Sequence, residues 1–338
     1  MRSKKNVETT KLKEGETLNK EFNNYVEMAE NAVDWTLFCS YQLKPSHSEG
    51  VYKIIQLPSM QIVYSQMDGG VMFDYVSPED CITFSIMKNI TQTAGTDHIK
   101  LKTGMIAVTD DKKRYNFHCS GPVELLDISL RKDADPRLLK KLTKAVDKYY
   151  IDSELKMTTL IKSFITEFVT NETTLERELS MQMQMQMQMQ ISEAMLKLLE
   201  EQEAQTPHFT KSEKIAIEIK QKLFKHMDHT MSVETLAKNH NISVKSLQNA
   251  FRSLYGLRPN EYMRLLKLNL VHHELTQSNA SHTSVQKVAR KWGFKHMGRF
   301  SKYYTELFGE NPSITLKTKS PLIDGMNTHC VERKEEIL

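Results

Sequence analysis

The sequence predicts an α+β protein in which strands come first and helices follow. Three observations carry that expectation. Between Asp34 and Leu130, short β-branched and aromatic runs (YKIIQL, MQIVYSQ, GVMFDYV, CITFSIM, IKLKTGMIAV, VELLDISL) alternate with turn signals such as Asp68-Gly69-Gly70, Ser77-Pro78, Thr103-Gly104 and Gly121-Pro122. From Asp135 to Gln205 long stretches lack Gly and Pro, and apolar residues recur every three or four positions. The charge divides along the chain as well: residues 211–320 carry 19 Lys and Arg against 8 Asp and Glu, whereas residues 1–210 carry 25 against 30. A basic helical segment joined to a mildly acidic remainder is the pattern of a polyanion-binding module attached to something else.

In chain order, residues 1–30 read as a polar segment that begins as a flexible tail and turns helical around Tyr25-Val26. Residues 31–205 read as the β-rich domain, with six or more closely spaced strands forming a small barrel or sandwich, then a helical region over about 138–205. LIKSFITEFV (Leu160–Val169) and ISEAMLKLLEEQ both show helical spacing. Between them lie five Met-Gln pairs, Met181 to Gln190. Strict alternation would suit a strand, but both residue types favour helix and both flanks are helical, so helix is expected. An adaptable Met-rich contact face is one reading of the tract, and an expanded repeat tolerated on an exposed helix is the simpler one. Pro207 ends this region; residues 206–320 form a second, helical domain and 321–338 a polar tail.

The helical domain contains a duplication. SVETLAKNHNISVKSLQNAFRSLYGLRP (232–259) aligns with SVQKVARKWGFKHMGRFSKYYTELFGENP (284–312), at an offset of 52 residues that becomes 53 after the turn. Each copy reads as a short helix, a tight turn, a longer helix and a Gly and Pro that stop it, which is a helix-turn-helix. In the first copy Ala237 permits a close helix crossing, Ile242 plugs the turn and Ser243 is a good N-cap. Val244, Leu247, Ala250, Phe251 and Leu254 make one apolar stripe, and Lys245, Gln248, Asn249 and Arg252 occupy the other face, suited to base edges and phosphates. In the second copy Phe300, Tyr304, Leu307 and Phe308 point inward, and Arg299 and Lys302 outward. Gly298 weakens the first turn of its helix by about 1 kcal/mol relative to Ala, and Lys295 and His296 supply no good cap. A DNA phosphate could satisfy the amides left free.

Residues 212–318 resemble the DNA-binding domain of AraC/XylS-type transcriptional regulators. The marks are Leu236-Ala237, Ser243, Leu247, Phe251, Gly256, Tyr262, Val288-Ala289, Gly293-Phe294, Phe300-Ser301, Tyr304, Phe308-Gly309 and Pro312. Lys267 stands where the family usually has Arg, and Val271 where it usually has Ala. The resemblance implies a linking helix from about Pro259 to Leu275 and two helices entering successive major grooves of double-stranded DNA. Carried over by position, the contacting residues are Lys245, Gln248, Asn249 and Arg252, then Gly298, Arg299 and Lys302. It further implies that the β-rich half is a domain of cupin-like barrel shape that senses a small molecule or a partner, with the helices of 138–205 either forming a homodimer surface or only packing on the barrel. RNA polymerase is implied as a further partner, with activation the expected sign of regulation.

The aromatics Trp35, Tyr64, Phe73, Tyr75, Tyr115 and Phe117 are candidates to line a ligand cavity, with plain core as the competing account. A metal-binding cupin needs a close pair of histidines with further ligands, and His47, His98 and His118 are isolated. No metal or cofactor is therefore expected. No Ser/His/Asp or Cys/His set and no Gly-rich phosphate loop stands out, and on a strand His118 and Cys119 face opposite ways. A barrel-based enzyme is thus the least favoured reading, behind an effector-independent regulator whose β domain serves assembly. The four scattered cysteines (Cys39, Cys81, Cys119, Cys330) read as reduced thiols. No apolar run approaches the ~18–20 residues that span a bilayer, and the polar N-terminus reads against a secretory signal. The expected compartment is the cytoplasm.

Overall fold

The computed structural model of the chain describes residues 12–45, 49–97, 99–152, 155–169, 179–206, 208–226 and 232–318. The expectations for His47, His98, Pro207 and the tail 321–338 lie outside the described residues. The class is α+β. Its strands are β1 (Thr17–Phe22), β2 (Thr36–Gln42), β3 (Gly50–Leu57), β4 (Met60–Met67), β5 (Val71–Val76), β6 (Cys81–Ile90), β7 (Ala94–Gly95), β8 (Lys100–Leu101), β9 (Met105–Asp110), β10 (Tyr115–Cys119), β11 (Val123–Arg131) and β12 (Tyr149–Ile151). They form two antiparallel sheets, a seven-stranded one in the order β1-β3-β4-β11-β6-β9-β12 and a five-stranded one in the order β2-β5-β10-β7-β8. The expected barrel is therefore not closed. The chain crosses from one sheet to the other at corners such as Asp68-Gly69-Gly70, and turn signals of this kind serve a barrel and a sandwich equally.

Period-two alternation sets both faces of each sheet. Inward residues of both sheets meet in one core: Ile54, Val63, Met87 and Leu125 from the larger sheet, Val71, Phe73, Phe117 and Cys119 from the smaller. β1 arises within the segment read as a polar tail. Its sequence TLNKEF hides the strand, yet it pairs with β3 from Thr17↔Ile55 to Phe22↔Gly50 and buries Phe22. Helix α1 (Tyr25–Glu30) follows, where helical character was expected.

Three helices cover the outer face of the seven-stranded sheet. α2 (Pro136–Ala145) starts with Pro at its first turn and Asp135 accepting from the Arg137 N–H, the preferred N-terminal chemistry. α3 (Lys156–Phe168) and α4 (Met181–Glu201) join it, so that Leu138, Leu142, Ile161, Phe164, Ile191 and Met195 pack on Ile62, Phe84, Leu126 and Ile128. The Met-Gln tract forms the first turns of α4, as its flanks implied. Because a helix turns 100° per residue, alternation spreads the methionines: Met187 is buried, whereas Met181, Met183, Met185 and Met189 are exposed. Ser180 caps the helix and Gln184 is held inside by the Leu179 carbonyl at 2.7 Å.

The remaining helices are α5 (Lys211–His226), α6 (Val233–Asn239), α7 (Val244–Tyr255), α8 (Pro259–Gln277), α9 (Val285–Lys291), α10 (Met297–Phe308) and α11 (Pro312–Lys317). α5 to α8 share one core with Tyr41, Leu43 and Met72 on the outer face of the five-stranded sheet. α8 to α11 build another around Leu268, Val271, Phe300 and Tyr304. α8 thus runs through both.

Polar contacts stitch the helices to the five-stranded sheet. The Gln42 N–H donates to Asn269 Oδ1 and the Asn269 amide donates back to the Gln42 carbonyl, both at 2.8 Å. The Gln42 side chain reaches the Leu307 carbonyl at 2.7 Å, so one residue of β2 touches both α8 and α10. His118 Nε2 lies 2.6 Å from the Leu254 carbonyl at the end of α7. Buried Lys220 of α5 pairs with Asp97 and donates to Asn116 Oδ1, and Lys100 pairs with Glu213 at 2.7 Å. Removing one member of a buried pair leaves the other unsatisfied. Asn269→Ala strands the Gln42 amide and carbonyl, and is expected to lower the unfolding free energy by about 1–3 kcal/mol in urea titrations.

Candidate functional site

Each helix-turn-helix unit is built by the same local rules. Ser232, Ser243 and Ser284 cap α6, α7 and α9, each accepting a backbone N–H three residues on. In the first turn Ile242 N–H bonds the Ala237 carbonyl at 3.1 Å, and in the second Phe294 N–H bonds the Ala289 carbonyl at 3.0 Å. The chain reverses through a left-handed residue each time, Asn241 (φ 53°) and Gly293 (φ 86°), conformations that Asn and Gly tolerate. Ala237 and Ala289 are buried at the crossings, as the close approach requires. α7 and α10 end at left-handed Gly256 and Gly309. At Gly256 a Cβ would also stand 3.0 Å from the Ser120 Cβ of the β-rich region.

The two longer helices present the residues singled out in the sequence. Lys245, Asn249 and Arg252 of α7 are exposed and Gln248 is half-buried, while Leu247, Ala250, Phe251 and Leu254 are buried beneath them. On α10, Gly298, Arg299 and Lys302 are exposed above Phe300, Tyr304 and Leu307. Lys302 lies 3.8 Å from Glu306, an exposed pair one turn apart. α10 begins at His296 with no side-chain cap, so its first amides stay open. A Cβ on Gly298 would meet nothing within 4 Å. The two departures from the family pattern lie on α8: Val271 is fully buried in the second core, and burial lowers the Lys267 ammonium below the usual lysine range.

A second feature lies between the sheets. A cavity of about 100 Å³ is walled by Trp35, Tyr52, Phe73, Tyr75, Tyr115 and Phe117, with Ser65, Ser85 and Asp127 supplying polar atoms. Of the aromatic candidates, Tyr64 alone is misplaced. Its neighbours Val63 and Ser65 line the cavity, so alternation turns Tyr64 to the opposite face of β4, where its hydroxyl bonds Glu124 at 2.8 Å. Tyr52 and Asp127 were missed, although Asp127 sits at an inward position two residues after Leu125 in an apolar strand. Asp127 Oδ1 accepts from Ser85 at 2.5 Å, and burial pushes its carboxyl up to about 6. The Tyr52 and Tyr75 hydroxyls are raised above the usual phenol range, by burial first and by the Asp127 charge second.

His118 and Cys119 face opposite ways on β10, as alternation required. Burial, then the charge of Lys220, lowers His118 to about 4, so the ring is neutral and donates from Nε2 to the Leu254 carbonyl. The Cys119 thiol, buried against the inner core, is pushed up to about 12. Among the described residues no three His, Cys, Asp or Glu side chains converge to hold a metal ion, and no helix is long and apolar enough to cross a membrane.

Comparison with known proteins places the sequence likeness in the helical region. A helix-turn-helix domain family matches residues 236–318. The probable thc operon regulatory protein of Rhodococcus erythropolis is 31% identical over 93 residues, 28% of this chain and 28% of that one. The chain thus spans less than a third of that relative's length. XylDLEGF operon transcriptional activator 2 of Pseudomonas putida is 32% identical over 113 residues, 33% of this chain and 68% of that protein. Among solved structures, the AraC-like transcriptional activator CuxR aligns at 12% identity with a TM-score of 0.37, over 67% of this chain and 82% of its own.

Two outcomes follow from this geometry. Gly298→Ala, which fills open space in a helical turn, is expected to stabilise the protein by about 0.5–1 kcal/mol in urea unfolding. A carboxyl raised from 3.8 to about 6 holds its proton more tightly in the folded state. Its contribution to stability is therefore lost as pH rises from about 4 through 6. Calorimetry should find Asp127→Asn melting above the parent protein at pH 7.5, with the difference shrinking as pH falls through 6 and gone below about pH 4.

Proposed function

Because the chain belongs to the AraC/XylS family of transcriptional regulators, we propose that it binds a specific double-stranded DNA site through α7 and α10 and thereby controls transcription of a neighbouring promoter. The observation that carries this reading is the duplicated unit itself: two longer helices, each with a buried apolar stripe, α7 exposing Lys245, Asn249 and Arg252 and α10 exposing Gly298, Arg299 and Lys302. Lys245, Gln248, Asn249 and Arg252 read or grip one major-groove segment, and Gly298, Arg299 and Lys302 the next. The open amides at the start of α10 receive a backbone phosphate. RNA polymerase is the partner through which such a protein activates, and the helices α2 to α4 are the surface for a homodimer.

The β-rich half is the sensor for a small molecule. Three strands of the five-stranded sheet support this. On β5, Phe73 and Tyr75 wall the cavity while Met72 receives a hydrogen bond from Tyr262 of α8. On β10, Phe117 walls the cavity while His118 holds the end of α7. On β2, Leu37 lines the cavity and Gln42 holds α8 and α10. A ligand that moves the rings shifts the sheet on which the DNA-binding helices rest, and so biases their relative placement. A β domain serving only assembly leaves that shared wall without a role. Relatives that regulate operons and the isolated histidines weigh against an enzyme.

Footprinting on the DNA upstream of the protein's own and neighbouring genes, at near-physiological salt, tests the reading. Protection of two adjacent major-groove segments that survives competitor DNA is the expected result; sequence-blind binding abolished by modest salt overturns it. On the protected site Arg299→Ala is expected to cost about 1–3 kcal/mol while sparing scrambled DNA. Equal loss on both reassigns Arg299 to a phosphate.

A further inference from the structure

The cavity between the sheets has a chemistry that narrows its ligand. Asp127 projects from β11 on the inner face of the seven-stranded sheet, where alternation places it with Leu125 and opposite Val63 and Ser85. It retains some accessible surface although it lies inside the sandwich, and that surface is cavity wall. One oxygen takes the Ser85 hydroxyl; the other has no hydrogen-bond partner among the described residues. Around it stand rings from both sheets. Tyr52 and Tyr75 are close enough to feel its charge, and Tyr75 stacks on Tyr115 at 5.6 Å with Phe73 and Phe117 alongside. Among the described residues no Arg or His lines the space. Its one lysine, Lys148, is exposed, as is the neighbouring Asp147, which pairs with Lys113 at 2.5 Å.

Ring faces attract cations, and a desolvated carboxylate demands one. A carboxylate ligand would meet the Asp127 charge with no internal cation to offset it. The volume sets the size: an engineered apolar cavity of about 150 Å³ takes benzene, and this one is about 100 Å³. We propose that the cavity binds a small organic ammonium ion, its nitrogen donating to the free oxygen of Asp127 and its apolar body held among Tyr52, Phe73, Tyr75 and Phe117. This rests on the sensor reading of the β-rich half and names its ligand class. Such an ion bridges the sheets, anchored on β11 and pressed against the rings whose strands carry the DNA-binding helices on their other face.

Three probes of similar size and different charge test it on the full-length protein: isoamylamine, isoamyl alcohol and isovalerate, followed by calorimetry and thermal melting at pH 7.5. Isoamylamine is expected to bind at least tenfold more tightly than the alcohol, and isovalerate not to bind. Asp127→Asn is expected to erase the preference of amine over alcohol, and the charge series on the parent protein stands even if that variant folds poorly. Tighter binding of the alcohol or the acid overturns the ammonium assignment while leaving a ligand cavity in place, and so does an unchanged preference in Asp127→Asn. If none of the three binds, the ammonium assignment falls. The sensor reading is then judged separately by Ala107→Leu, which fills the cavity from β9. A severalfold change in affinity for the footprinted site supports that reading, and an unchanged affinity in the folded variant overturns it.

Discussion

A β-strand sends successive side chains to opposite faces, and in this protein β2, β5 and β10 spend both faces on different tasks. One face closes an aromatic cavity and the other bears the helical region that carries two helix-turn-helix units. Neighbouring residues therefore belong to different sites: Met72 to the helices and Phe73 to the cavity, His118 to the helices and Phe117 to the cavity. Close-packed interiors transmit displacement rather than absorb it, so the two sites share a wall whose position matters to both. The other architecture follows from it. The seven-stranded sheet closes the cavity from the far side, and α2 to α4 cover the apolar outer face that this sheet would otherwise expose.

The seam between sheet and helices is polar as well as apolar. Buried hydrogen bonds and ion pairs contribute little net stability but cost much when one partner is withdrawn, so they fix position more than they add strength. Gln42 is the clearest case. Its backbone is clamped by Asn269 in the middle of α8, and its side chain reaches the last turn of α10. One residue of the β-rich region thus constrains both α8, which links the two units, and α10. The Lys220–Asp97 pair and the neutral His118 fix the first unit in the same manner. The seam therefore holds the spacing and tilt of the two helix-turn-helix units relative to the sheet.

The two units themselves are unequal. The first has a side-chain cap on its recognition helix and a half-buried Gln248 beside its basic residues. The second has no cap and a glycine in its first turn with open space around it. A helix start of that kind is costly in isolation and suits a place where a phosphate completes it. The repeated Met-Gln tract shows the opposite situation, in which a low-complexity sequence is absorbed by a helix because 100° per residue carries one methionine into the core and leaves four outside.

Local rules were enough to read much of this from the sequence. Caps, turn residues and a duplication at an offset of 52 residues determined both helix-turn-helix units and their exposed residues, because each depends on groups within a few positions of one another, and the family resemblance implied the linking helix. Strand periodicity likewise determined that β-rich and helical parts exist and that Phe73, Tyr75, Tyr115 and Phe117 share one face. What alternation could not supply was which face is which, and Tyr64 fell on the outer one for that reason. The polar TLNKEF strand was invisible because its burial depends on pairing with β3. Closure into a barrel or division into two sheets turns on pairing between distant strands, which turn signals do not encode. The cavity's carboxylate, its unpaired oxygen and the Gln42–Asn269 clamp, 227 residues apart in sequence, exist only after the chain has folded. Contacts at that separation are chosen by packing of the whole, and only the tertiary structure decided them.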